Sequence, residues 1–164
     1  MKTFHVDDRL IGVLSSRHYC VHTVTTPPFT QSWADAFRDA VNRDVPYRQA
    51  GIGWTATVAL VLDDGAPVGL IGPVALEVTL DRGLCNNARI ISPDACVATF
   101  VFRGDYDAWM EVMGGAMDPV AAVMRGQIRL TGDVATLMTH GPALTALVRC
   151  AQSVTRDVSD QPAA

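Results

Sequence analysis

The order of apolar and polar positions gives most of the architecture. From Thr30, a plausible N-cap, Trp33, Phe37, Ala40 and Val41 recur at the spacing of one helical stripe, and Pro46 lies beyond its end. The pattern then changes to period two. Residues 54–62 alternate, with Trp54, Ala56, Val58 and Leu60 facing one way. Residues 74–80 repeat this with Val74, Leu76, Val78 and Leu80 on one face and Glu77 and Thr79 on the other, the mark of a half-buried strand. Asp81-Arg82-Gly83 turns the chain into a third strand over 85–91, and Ser92-Pro93-Asp94 separates it from a fourth over 95–102. Residues 127–131 form a short fifth.

Helices stand between and after the last two strands. Asp105 caps a helix that Gly114-Gly115 stops. Asp118 with Pro119 at the first helical position starts the next, and Gly126 ends it. Asp133 opens a closing helix with Leu137, Met138, Leu144, Leu147 and Val148 along one face, in which Pro142 is expected to make a kink. The stretch 105–133 is the most telling: Tyr106, Trp109, Met110 and Met113 on one helix and Val120, Val123 and Met124 on the next carry much thioether and aromatic surface with little charge. Such surface serves either as a core or as the adaptable wall of an apolar binding site.

Composition narrows the function. The chain has 164 residues, 49% of them hydrophobic and 18% charged, so it makes one domain with a real core. The net charge is −4 and no Lys/Arg run exists, which argues against nucleic-acid binding. No apolar run approaches the ~20 residues of a membrane span. The N-terminus puts Asp7 and Asp8 where a signal peptide would be apolar, and the C-terminus lacks a lipidation or peroxisomal signal. The four cysteines form no CxxC pair. The expectation is therefore a soluble cytoplasmic protein with reduced thiols.

Residues 1–29 differ from the rest, holding His5, His18 and His22 and ending at Pro27 and Pro28. They read as an N-terminal extension that could mediate oligomerisation, followed by a domain over 30–155 and a tail over 156–164. His18, Cys20 and His22 would share a face of an extended strand, with His5 or Asp7 as a further ligand, but the order is no known metal frame, and no metal or cofactor is expected. Catalytic motifs are lacking: there is no G-x-S-x-G, HExxH or phosphate loop. Glu77 reads as solvated, and Cys96 and Cys150 as small core residues.

The element order, with Trp54 opening the first strand, Phe102-Arg103-Gly104 ahead of Trp109, Asp118-Pro119 after the glycine break, Gly126, Ile128 and Leu130, and Gly132-Asp133, resembles the sterol carrier protein family from about residue 33 to about residue 154. The resemblance implies an α+β fold: a five-stranded sheet with helices covering one face and an apolar tunnel between them. It also implies a carrier of a sterol, fatty acid, acyl-CoA or isoprenoid, with a membrane or an enzyme as transient partner. A subunit presenting a substrate to an enzyme, and a small isomerase or cyclase reusing the cavity, are the alternatives. The expected ligand-binding residues are Trp33 on the first helix and Phe100 and Phe102 on the fourth strand. Trp109, Met113, Met117, Val120 and Met124 join them from the central helices, and Leu137, Met138, Leu144 and Val148 from the closing helix. The His140-Gly141-Pro142 step departs from the family pattern and leaves ligand size open.

Overall fold

The computed structural model describes residues 27–159, with side chains to residue 155. Helix α1 (Gln31–Arg43) buries Trp33, Ala34, Phe37 and Val41, and the Thr30 hydroxyl accepts from the Trp33 N–H at its start. A second helix follows at once, where the sequence reading ended with the first. Asp44 closes α1 through its own N–H to Val41 O and opens α2 (Val45–Ala50) by accepting from the Tyr47 N–H, with Pro46 in the first turn, where no donor is missed.

The sheet is mixed, in the order β3-β2-β1-β4-β5. Strand β1 (Thr55–Leu62) pairs antiparallel with β2 (Val74–Asp81) and parallel with β4 (Phe100–Gly104). Strand β3 (Leu84–Ile91) completes a hairpin with β2, and β5 (Ile128–Thr131) pairs antiparallel with β4. The hairpin turns on Arg82 and Gly83, both at positive φ (47° and 86°), the arrangement of a type I′ turn. Register places Val58 beside Val78 and Phe100, and Leu60 beside Leu76 and Phe102, so one face of the sheet is continuously apolar. Against it pack α1, α2, α3 (Tyr106–Met113) and α4 (Pro119–Met124). Helices α5 (Val134–Thr139) and α6 (Gly141–Ser159) close the fold.

Three expectations change. The fourth strand begins at Phe100 rather than 95. A parallel strand must be reached by a crossover, and residues 92–99 form it: a 3₁₀ turn at Pro93–Ala95, then a segment whose Cys96 and Ala98 pack on Ala59, Val61 and Ala75 of the sheet's other face. That crossover also puts Glu77 in the interior. Glu77 is only 6% exposed and its carboxylate meets Arg89 at 2.7 Å, so it is a buried, paired acid and not a solvated one. Finally, the closing helix is two helices. His140 caps α5, its ring stacks on Trp54 at 5.0 Å, and Pro142 is the second residue of α6, where a proline starts a helix instead of bending it. No helix among the described residues is long and apolar enough to cross a membrane.

Phe29 and Pro28 also pack into the body of the fold, although the sequence reading left them in the extension. The His5, His18, Cys20 and His22 metal candidate lies outside the described residues.

Candidate functional site: an apolar cavity between sheet and helices

The apolar face of the sheet and the helices above it do not meet everywhere. Between them is a cavity of about 110 Å³ whose lining side chains are all apolar. The floor is Val58 and Leu60 of β1, Val78 and Leu80 of β2, Phe102 of β4 and Ile128 of β5. The roof comes from Phe37 of α1, Trp109, Val112 and Met113 of α3, Pro119 and Val123 of α4, and Leu144, Leu147, Val148 and Ala151 of α6. Asp105 caps α3 by accepting from the Ala108 N–H, which sets the phase that turns Trp109 and Met113 inward. Trp109 is fixed further: its indole N–H donates to Val61 O at 3.0 Å, leaving the ring itself against the cavity. Gly104 lets the start of β5 pack closely, since a Cβ there would stand 3.1 Å from Gln127 O and 3.2 Å from Ile128 Cγ1.

Of the residues expected at a binding site, Phe102, Trp109, Met113, Leu144 and Val148 line this cavity. The others are placed elsewhere. Trp33 is buried behind the wall, stacked on Phe37 at 5.3 Å and donating from Nε1 to Thr155 Oγ1. Phe100 packs toward Trp54 and Gly132, and Leu137 is buried in the core away from the cavity. Met117 packs half-buried against the core. Val120, Met124 and Met138 point outward, at 59%, 83% and 66% exposure. Helix α4 has only 6 residues, and its inward side is taken by Pro119, Ala122 and Val123, which turns Val120 and Met124 to the outside. Met138 follows from the break at His140, because α5 and α6 do not share one stripe.

The residues missed were visible as core. Val58, Leu60, Val78 and Leu80 are the strand positions that alternation turns inward, and Phe37, Val112, Leu147 and Ala151 fall on helical stripes. Periodicity tells which side of an element faces the interior; it carries no signal for where the interior is incompletely filled.

Among the described residues, no titratable side chain lines the cavity. The thiols of Cys85, Cys96 and Cys150 lie outside it and are held protonated. Burial pushes Cys85 and Cys150 up to about 11, and burial with the Glu77 carboxylate alongside does the same to Cys96. These groups are poor nucleophiles at neutral pH.

A continuous apolar sheet face, roofed by short helices over an all-apolar cavity, defines a module for enclosing a greasy molecule. The SCP-2 sterol transfer family model matches residues 47–145, and the chain belongs to that family. A crystal structure of sterol carrier protein 2 superposes with a TM-score of 0.71 at 31% identity, over 77% of this chain and 98% of that one. A Thermus thermophilus protein, provisionally assigned as a sterol carrier protein, gives 0.70 at 32% identity, over 78% and 90%. The sterol carrier protein domain 2 of Helicoverpa armigera shares the fold at 13% identity, with a TM-score of 0.51, over 77% and 93%. No curated protein sequence matches.

Proposed function

We propose that this protein binds a single lipid by its apolar body and carries it, taking a fatty acyl, sterol or isoprenoid group into the cavity beneath α3, α4 and α6. The observation that carries this reading is the cavity itself: a space lined by apolar side chains alone, within a fold whose family is one of lipid transfer. Phe102, Trp109, Met113, Leu144 and Val148 are the proposed contacts. Burial supplies the affinity. About fourteen methylenes of a palmitoyl chain at about 0.8 kcal/mol each give roughly 11 kcal/mol, about 3 kcal/mol more than a micromolar complex needs, which offsets ordering costs.

The lining offers no acid, base or nucleophile, which favours carriage over an isomerase or cyclase. Delivery to a membrane or presentation to an enzyme are the onward steps this reading accommodates. At about 110 Å³, and open on one side, the cavity as it stands holds only part of a lipid. A ligand enclosed whole would require the wall to yield. Native mass spectrometry of the freshly purified protein tests the reading: a one-to-one adduct of lipid mass supports it. Its absence, in folded protein also offered palmitic acid and cholesterol, would count against it.

A further inference from the structure

Phe29 has a backbone that phenylalanine does not choose. Its φ is +65°, in the left-handed region. With Pro28 before it, this is the layout of a type II turn, whose third position normally belongs to glycine or asparagine. A bulky residue there is an outlier, and such strain persists only where the surroundings impose it. The surroundings are those of the ring. Phe29 is fully buried, and its ring meets Trp109 edge-on, centroids 5.6 Å apart and planes at 63°. Trp109 is a wall of the cavity; Phe29 does not line it. The ring therefore abuts a wall residue without itself reaching the cavity. Across the turn the Thr30 hydroxyl donates to Pro27 O at 2.7 Å.

We infer that Phe29 sets the capacity of the cavity: its ring is a plug behind Trp109, and its withdrawal lets the wall retreat to admit a bulky ligand. Two observations meet in this assignment. The cavity as it stands encloses only about 110 Å³, room for part of a sterol body, and a residue against its wall sits in a strained turn whose release offsets part of the burial lost. Pro27 and Pro28 stiffen the segment, so the ring and its turn would move as one piece. The inference rests on the proposal that the cavity takes lipid.

The test uses the full-length chain as wild type, Phe29→Ala and Phe29→Gly. Decanoic acid and cholesterol compete for a bound fluorescent fatty acid. If the plugged form dominates, removing the ring raises cholesterol affinity about tenfold relative to decanoic acid. Phe29→Gly should do so at least as strongly, since glycine also accepts the positive φ. Affinities that change in the same ratio for both ligands would show a ring that only supports the fold, and would overturn the inference. If both variants unfold, hydrogen exchange of the wild type decides. Cholesterol loading should speed exchange at residues 29–33, and unchanged or slower exchange overturns the inference. If the wild type binds neither lipid, the carrier reading has failed by itself. A xenon-pressurised crystal of Phe29→Ala then settles the plug: one enlarged cavity supports it, and a separate void refutes it.

Discussion

Gly83 shows how one residue ties the hairpin to the helical layer. It sits at φ +86°, and a Cβ there would come 2.4 Å from Arg48 O. That atom is backbone and cannot swing aside. Gly83→Ala is expected to cost about 2 kcal/mol or more, as strain and overlap combine, read as a lower denaturant midpoint at unchanged slope. The buried thiols make a second prediction at this scale. Cys85 ionises near 11 in the fold against an ordinary 9.0, so above pH 9 the unfolded chain releases its proton first. A raised value gives stability that is complete below about 9 and lost as pH climbs to about 11. Cys96 and Cys150 act in the same direction. Unfolding free energy should be flat from neutral pH to about 8.5 and decline through that window, with a smaller decline in Cys85→Ala.

At the scale of elements, caps and turns were the most legible features. Asp105, Asp118 and Asp133 open their helices as their spacing suggested, each side chain accepting from a backbone N–H of the first turn. Pro46 lies beyond the end of α1, as expected, but also opens α2, and Pro142 opens α6 instead of kinking it. Proline is a breaker inside a helix and a favoured residue in its first turn, and which applies depends on the residue before it. Asp44 supplies a cap ahead of Pro46, and His140 ends α5 just ahead of Pro142. Pro142→Ala separates the two cases. In the first turn it changes stability by less than about 1 kcal/mol, whereas relief of a mid-helix proline would stabilise by as much as ~3 kcal/mol. The edge of the sheet was not legible at all. Gln31 and Asn42, at opposite ends of α1, turn their carboxamides onto β3: Gln31 bonds Ala88 O and the Ile90 N–H, and Asn42 bonds Cys85 O and the Cys85 N–H. They take the place of a neighbouring strand at these four groups of the edge. Asn42→Ala, which frees both groups of Cys85, should destabilise by about 1–3 kcal/mol, measured by urea unfolding.

For the whole molecule, period-two and period-3.6 patterns gave the layers and the face each element buries. The order of elements gave the resemblance that the family match confirms. What the pattern left out is the volume between the layers. Met124 and Met138 look like cavity wall in the sequence because thioethers suit such a wall, yet a six-residue helix and a broken closing helix turn both outward. Conversely, Leu80 and Leu147 read as plain core and line the cavity. Which apolar side chains leave a gap is decided by how the layers seat on one another, which depends on the entire set of side chains at once.

The central claim is that this gap receives a lipid, and Leu144 offers the sharpest test. It lies half-buried on α6, lining the cavity with Val148 one turn on. Leu144→Trp should fill the space with modest loss of stability, since a cavity accepts volume that a packed core resists. The measurement is a titration of a fluorescent fatty acid into wild type and Leu144→Trp, both shown to be folded by a cooperative melt. The account predicts saturable one-to-one binding to the wild type at micromolar or tighter affinity, with the variant weakened more for long chains than for short. Absence of saturable binding to the wild type, or a variant that binds every chain length as the wild type does, would contradict it.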